Sequence, residues 1–245
     1  MTMKLPQLST PTYTLKLPSN GKQVGYRPFL VKEEKILLLA LETEDNKTIA
    51  RALEQIVLNC TDDAIDVKTL PLFDLEYIFL QIRSKSAGEN AEPVLHLTDE
   101  TGMEHEIKLV IPISSIPVVR DDKHTNEIKL TEDIYLKMKY PTFGMSEDYA
   151  DANPESSSIA FDLIVSCIDE IFQGEDSWKT SDVKKEEMVA FVEDMTQEQF
   201  VAVSDFFNTM PKLEKELVVP VGKKKHTITL SGLQDFFGSP SVTLQ

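Results

Sequence analysis

The side chains best suited to binding a metal ion are the four histidines, His96, His105, His124 and His226. His96 and His105 flank a predicted turn at a spacing that lets them face one another across two paired strands. Glu104 and Glu106 lie beside them and could add carboxylate ligands. A structural zinc site needs a closed tetrahedral set of ligands, which commonly includes cysteine. No such set is present, so the sequence predicts no metal and no other cofactor.

Two predicted hairpins have the outline of a zinc ribbon that has lost its cysteines. Their turns, at residues 97–100 and 219–222, occupy the places where a zinc ribbon carries Cys-x-x-Cys, but neither contains a thiol. This degenerate zinc-ribbon-like outline makes a nucleic-acid or regulatory binding module the alternative function. Charge argues against it, because Lys223-Lys224-Lys225 is the only basic run in a chain with a net charge of −16.

Sequence patterns that mark common enzyme classes are missing. The chain contains no Gly-x-Ser-x-Gly, no Walker pattern and no Gly-x-Gly-x-x-Gly. With 41 acidic residues, proximity of two carboxylates along the chain carries no information. We therefore predict that the protein is not an enzyme, and we assign no catalytic or cofactor-binding residue.

Arg83 and Lys85 are the first candidates for contact with a partner. They follow Asp74 and Glu76 in a predicted helix, and Glu76 with Arg83, two turns apart, could form a structural ion pair worth about 0–1 kcal/mol. The functional alternative is that Arg83 and Lys85 form a polar patch that binds a partner, since arginine is enriched at binding hot spots.

Phe236 and Phe237 are the second candidates. They are adjacent on a short predicted helix near the end of the chain, and their side chains point roughly 100° apart. Both a core role and an interface role fit this pattern, and we expect at least one ring to face another chain or domain. On this hypothesis, replacing both by alanine leaves the N-terminal fold intact but weakens partner binding.

Composition indicates a folded protein without a transmembrane segment. Of 245 residues, 41% are hydrophobic, and the net charge of −16 opposes binding to nucleic acid or anionic membranes. This negative charge either favours binding to a basic protein partner or only keeps the protein soluble. Cys60 and Cys167 lie far apart in apolar helical patterns, which predicts buried free thiols in a reducing cytoplasm. The start of the chain lacks a signal-peptide pattern, and no apolar run approaches a membrane span.

The most apolar helix candidate follows an N-terminal hairpin. Residues 13–17 and 24–29 have strand character around the turn Pro18-Ser19-Asn20-Gly21. The helix is predicted to begin between Val31 and Glu33, and the run from Ile36 to Leu41 makes it apolar nearly all round. Such a helix is predicted to be buried on most sides, so that Leu38→Asp would unfold the protein.

The remaining pattern predicts alternating helical and strand segments. Predicted helices follow Asp45, Pro71, Ser158, Ser181 and Thr196, and cover 49–60, 72–88, 159–172, 183–195 and 197–210. Predicted strands cover 94–97, 107–113, 126–139, 217–221 and 227–230, and a short helix follows at 231–237. The segment 126–139 is predicted to form either two short strands or one bent strand.

These elements predict an α+β fold. It comprises an N-terminal β-hairpin with helices, central antiparallel hairpins, and a C-terminal helical unit with a terminal hairpin. The acidic, small-residue-rich segment 145–158 is predicted to be a linker or loop that separates a domain at 1–144 from one at 159–245.

Four motifs in this order resemble a known family. They are LPSNG at 17–21, YRPFLVKEEKILLLALE at 26–42, FDLEYIFLQIRSKSAGE at 73–89 and TLSGLQDFF at 229–237. Together they resemble the baseplate hub subunit, or hub assembly chaperone, of T-even-like bacteriophages. The resemblance spans nearly the whole chain.

The resemblance implies a non-enzymatic role in virion assembly. It implies binding to phage baseplate hub proteins, either as a scaffold or chaperone or as a minor hub component. The implied location is the host cytoplasm during assembly, or the tail baseplate of the virion. It also favours Arg83 and Lys85 as partner contacts, and leaves the oligomeric state open.

Overall fold

A computed structural model describes residues 8–43, 45–86, 90–98, 101–148, 157–222 and 224–237. Helices and strands alternate irregularly along these ranges. The α-helices are α1 (Val31–Leu41), α2 (Asn46–Cys60), α3 (Leu72–Ser84), α4 (Phe143–Asp148), α5 (Ser157–Cys167), α6 (Lys185–Glu193), α7 (Gln197–Thr209) and α8 (Gly232–Phe237).

Most of the strands are short, and they form small antiparallel sheets. They are β1 (Tyr13–Lys16), β2 (Gln23–Tyr26), β3 (Asn90–Ala91), β4 (Val94–Thr98), β5 (Glu104–Lys108), β6 (Ile111–Pro112), β7 (Val118–Val119), β8 (Glu127–Lys129), β9 (Ile134–Met138), β10 (Ile168–Gln173), β11 (Asp176–Lys179), β12 (Lys212–Val221) and β13 (Lys224–Ser231). The sheet orders are β1-β2, β3-β6, β4-β5, β13-β12-β7 and β11-β10-β9-β8. This mixture confirms the α+β prediction.

Contacts divide the chain into two compact units. Unit 1 comprises Met1–Val67, Phe73–Val118 and Leu213–Gln245, and unit 2 comprises Lys68–Leu72 and Val119–Lys212. The terminal hairpin β12–β13 therefore packs within the same unit as the N-terminal hairpin.

The predicted linker at 145–158 lies mostly outside the described residues. Its first residues belong to α4, and Ser157 begins α5. A domain boundary in this segment stays a prediction.

The N-terminal hairpin of unit 1 forms where the turn chemistry predicts it. Gly21 adopts a φ of 72°, which a residue without a Cβ atom reaches at little cost. The Leu17 amide donates to the Lys22 carbonyl oxygen at 2.9 Å, and the Asn20 side chain accepts from the Lys22 amide at 2.8 Å. Ser19 connects this turn to α3 by donating its amide to Asp74 Oδ1 at 3.0 Å and its hydroxyl to Oδ2.

The core of unit 1 combines segments from distant parts of the chain. Its fully or nearly fully buried side chains come from α3, the central hairpins, β12, β13 and α8: Leu80, Ala91, Leu95, Leu97, Ile111, Ile113, Ile116, Leu213, Val219, Val221, Ile228, Leu230 and Phe236. The burial of these apolar groups is the main source of stability for the unit.

Unit 2 packs α5, α6 and α7 against its four-stranded sheet. In this sheet Leu136 of β9 lies opposite Ile171 of β10 and Ile128 of β8. The shared core consists of Ile128, Leu136, Met138, Ile164, Val165, Cys167, Ile168, Ile171, Met188, Val192, Val203 and Phe206.

The predicted helix at 159–172 is wrong in its second half. Helix α5 ends at Cys167, and the following residues form β10, which pairs with β9 on one side and β11 on the other. Hydrogen bonds to two neighbouring strands outweigh the helical spacing of the apolar residues, because β-branched and aromatic side chains fit a sheet well. Ser181 does not cap the next helix, which has Lys184 at its N-cap.

His124 is a buried titratable group in unit 2. Its Nδ1 lies 3.0 Å from Thr209 Oγ1, and its Nε2 lies 3.0 Å from the Tyr140 hydroxyl. Burial, together with the charge of Arg120, lowers the pKa of His124 below its ordinary value of 6.5.

Because the unfolded chain binds the His124 proton more tightly, acid favours unfolding. We expect the free energy of unfolding to be unaffected by this group above pH 6.5 and to fall as the pH drops from there towards the folded-state pKa. Denaturant titrations between pH 5 and pH 8, compared for wild type and His124→Gln, measure this slope. A slope of equal size in the variant would assign it to other groups.

None of the described helices is long and apolar enough to cross a membrane.

Candidate interaction surface

Helix α1 begins at Val31, as the sequence predicts. Leu30 precedes it in an extended conformation, with φ −98° and ψ 167°, and donates its amide to Glu33 Oε2 at 2.9 Å. Glu33 and Glu34 place negative charge in the first turn, where the helix dipole stabilises it.

A buried ion pair fixes α1 to the N-terminal hairpin. Glu33 has no exposed surface, and its Oε1 accepts from Arg27 Nη2 at 3.0 Å. The Arg27 amide donates to the Cys60 carbonyl oxygen at 2.8 Å, which ties the hairpin to the end of α2. Burial alone would raise the pKa of Glu33, but hydrogen bonds from Arg27 and from the Leu30 amide outweigh it and hold that pKa below its ordinary value.

The outer face of α1 exposes three leucines, and the prediction that this helix is buried on most sides is wrong. Leu38 is 56% exposed, Leu39 53% and Leu41 42%. We refer to Leu38, Leu39 and Leu41 as the leucine patch. Such a group of neighbouring apolar side chains on a surface is typical of a protein interaction site.

Helical geometry explains which leucines are exposed. The buried residues Glu33, Leu37 and Ala40 follow one another at the spacing of a single helix face. Leu38 lies nearly opposite that face, since each residue advances about 100° around the axis. The continuous apolar run from Ile36 to Leu41 covers the full circumference, so the sequence alone did not indicate which side packs.

Arg83 interacts with residues of both α1 and α8. Glu34 is one turn before Leu38 on the same face of α1, and its charge acts on Arg83, whose pKa is lowered chiefly by burial. The Arg83 guanidinium carbon lies 4.9 Å from the centre of the Phe237 ring, a cation–π contact.

Lys85 occupies a different place. Its ammonium lies 5.5 Å from the centre of the Tyr13 ring, on the N-terminal hairpin. Exposed cation–π contacts of this kind contribute about 0.5–1 kcal/mol. Arg83 and Lys85 therefore both contact aromatic rings of unit 1, and partner binding by either stays a prediction.

Phe236 and Phe237 both pack within unit 1. Phe236 is completely buried in the core, whereas Phe237 is partly buried and meets the Phe79 ring edge-on at a centroid distance of 6.2 Å. Of the sequence-predicted site residues, the structure thus brings together Arg83 and Phe237. A role of these residues in partner binding stays a prediction.

The predicted ion pair between Glu76 and Arg83 is wrong. Glu76 Oε1 instead accepts from the Leu233 amide at 3.2 Å and so holds the start of α8. Burial raises the pKa of Glu76 to about 7, although this hydrogen bond favours the charged form. The two residues are 157 positions apart, and no local pattern in the sequence indicates the contact.

The histidines of the second hairpin do not face one another. In the strand register His96 lies opposite Glu106, and His105 lies opposite Leu97. Successive positions of a strand alternate between its two faces, so the two imidazoles lie on opposite sides of the hairpin. In the part of the chain that the structure describes, no group of three or more His, Cys, Asp or Glu side chains is placed to hold a metal ion.

The two thiols are unsuited to nucleophilic chemistry. Burial raises the pKa of both Cys60 and Cys167 to about 12. Since the thiolate is the reactive form, both residues are unreactive at neutral pH and behave as small core side chains.

One protein family matches the chain over most of its length. Its description is "T4 bacteriophage base plate protein", and its model matches residues 10–238. The chain belongs to this family of phage baseplate proteins. No curated protein matches the chain, and no solved structure does.

Membership assigns the chain a structural role in a phage tail baseplate, where it contacts other baseplate proteins. The resemblance drawn from the sequence is confirmed at this level. A protein with this role needs surfaces that bind its neighbours, and exposed apolar patches are typical of such surfaces.

Proposed function

We propose that the protein acts at the baseplate hub and binds hub proteins during tail assembly, without catalysing a reaction. It serves there as a scaffold or chaperone, or as a minor hub component, and it assembles in the host cytoplasm. The observation that carries the proposal is the leucine patch of α1. Three leucines within four positions, each at least 42% exposed, stand out on a chain with a net charge of −16.

The exposed face of α1 suits a helix-in-groove contact. Leu38 and Leu41 are one turn apart and can enter one apolar groove, while Leu39 covers its edge. Glu34 and Glu42 are exposed beside them. Lys35 is exposed there as well, so we expect the hub partner to offer an apolar groove whose rim carries charges of both signs, since complementary charges orient an encounter.

The support beneath the patch favours a preorganised contact. The ion pair of Glu33 with Arg27 holds the buried side of α1, so the leucines are presented on a helix that is already formed. Preorganisation increases affinity because less conformational entropy is lost on binding. We do not propose the alternative function of nucleic-acid binding. The net charge of −16 opposes it, and no feature of the described residues offsets that charge.

We expect Leu38→Asp to abolish partner capture while leaving the fold intact, which reverses the expectation drawn from the sequence. Exposed positions change stability by about 0.5 kcal/mol or less, whereas a charge in the centre of an apolar contact costs several kcal/mol of binding. The test co-expresses the protein with each hub protein of the same phage, purifies it by an affinity tag, and measures the captured partner and the thermal midpoint.

Val201→Asp is the matched control. Val201 is 51% exposed on α7, so the variant carries the same added charge on another exposed helix. Loss of capture in Leu38→Asp with retention in Val201→Asp supports the proposal. Capture by Leu38→Asp at the wild-type level would contradict it, and capture only of baseplate proteins outside the hub would contradict its hub assignment.

A further inference from the structure

Unit 2 contains a cleft that the assembly role does not explain. Its volume is about 510 Å³, and it is lined by the residue after β9, the end of α5, the end of β11 and the start of α6. Three lysines, Lys139, Lys179 and Lys185, line it together with the apolar side chains of Val165 and Met188. This size falls within the range of clefts that bind small ligands or peptide side chains.

The positive charge of the cleft is only partly compensated. Lys185 Nζ lies 3.4 Å from Asp162 Oδ1, and Asp169, the carboxylate that lines the cleft, is paired with Lys137 at 3.4 Å. Neither Lys139 nor Lys179 has an ion-pair partner in the described chain.

The strand register does not supply a partner for Lys179. Glu170 of β10 lies opposite both Lys179 and Lys137, but it forms no ion pair with Lys179 among the residues described. Two ammonium groups are therefore available for a ligand in a chain whose overall charge is strongly negative.

The hydroxyl groups of the cleft donate within the chain. Ser166 Oγ donates to the Asp162 carbonyl oxygen at 2.8 Å, and Thr180 Oγ1 donates to the Ile168 carbonyl oxygen at 2.9 Å. Ser181 Oγ donates to Asp182 Oδ1 at 3.0 Å. The lysines are consequently the groups left to neutralise an anion, whereas Val165 and Met188 belong to the core and expose only 5% and 3% of their surface.

We propose that this cleft binds a short acidic segment of a partner protein, with neighbouring carboxylates on Lys139 and Lys179. A nucleic-acid backbone fits less well, because the net charge of −16 repels a long polyanion more strongly than a short segment. The site is on unit 2 and does not depend on the leucine patch.

Isothermal titration calorimetry measures binding to the cleft. Trp178 is unsuited as a probe, because it precedes Lys179 in β11 and successive side chains of a strand point to opposite faces. We expect titration of the full-length protein with a hexaglutamate peptide at low salt to give saturable binding. Added salt should weaken the effect, because exposed charges are screened.

The double variant Lys139→Gln with Lys179→Gln should weaken binding by about tenfold, since two partly exposed ion pairs are lost. Lys123→Gln with Lys129→Gln is the matched control, because it removes the same charge from exposed positions of unit 2 outside the cleft. Lys139→Arg with Lys179→Arg keeps the charge and should keep the binding. Circular dichroism of each variant verifies that it is folded.

Three results would overturn the proposal. The first is the absence of saturable binding of hexaglutamate to the wild type, and the second is equal weakening by the control pair. The third is stronger binding of a thymidine oligonucleotide of equal charge with the same dependence on Lys139 and Lys179, which would assign the cleft to nucleic acid instead. Failure of the hub-capture experiment leaves this test unaffected, because its probe and its variants are different.

Discussion

Phe236→Ala is expected to lower the free energy of unfolding by about 3–5 kcal/mol, a large part of the roughly 5–15 kcal/mol typical of a folded domain. The ring has no exposed surface and packs in the core of unit 1, where the terminal hairpin meets α3 and the central strands. Its removal leaves a cavity that surrounding side chains fill only in part. Chemical denaturation followed by circular dichroism measures the loss.

Phe237→Ala is the matched control for this prediction. Its ring is only partly buried and contacts Phe79 and the guanidinium of Arg83. We expect a loss of about 1–2 kcal/mol. The hypothesis that both rings can be removed with the N-terminal fold intact predicts wild-type denaturation midpoints for both variants. That outcome would contradict the packing described for Phe236.

Local turn and capping chemistry is the part of the fold that could be predicted from the sequence. Asp45 caps α2 by accepting from the Thr48 amide at 2.9 Å, and Thr196 with Gln199 forms a capping box at the start of α7. These contacts involve residues within one turn of each other, so the sequence contains all the necessary information.

Long-range pairing is the part that could not be predicted. The segment after Cys167 has helical spacing, but it becomes β10 because strands on both sides accept it. The contact of Glu76 with the Leu233 amide likewise depends on where α8 packs. In both cases the decisive partner is remote in the sequence.

The candidate site was predicted only in part, for a related reason. Arg83 was singled out by its residue type, and the charge of Glu34 in α1 does act on it. The leucine patch was missed because the hydrophobic pattern shows which residues are apolar, but not which of them pack against the rest of the protein. Glu33 also made the buried face of α1 hard to recognise, because it has no exposed surface although charged residues are rarely fully buried.

Glu33→Ala is expected to destabilise the protein by about 3–5 kcal/mol, because it leaves the largely buried Arg27 guanidinium without its carboxylate partner. The neighbouring Glu34→Ala is the control and should change the free energy of unfolding by about 0.5 kcal/mol or less, since Glu34 is exposed. Replacing both partners, as Arg27→Met with Glu33→Leu, should recover most of the loss, because an apolar pair of similar volume carries no desolvation cost.

The dependence of stability on pH provides an independent test of the ion pair between Glu33 and Arg27. The folded-state pKa of Glu33 lies below its ordinary value of 4.5, so the unfolded chain binds the proton more tightly. The stabilisation is therefore fully present above pH 4.5 and is lost as the pH falls through the folded-state pKa. Urea denaturation at several pH values should show this loss in wild type and in Glu34→Ala. If the variant Arg27→Met with Glu33→Leu retained the same loss, the acid sensitivity would belong to other carboxylates, and the ion pair would not be what holds α1 in place beneath the leucine patch.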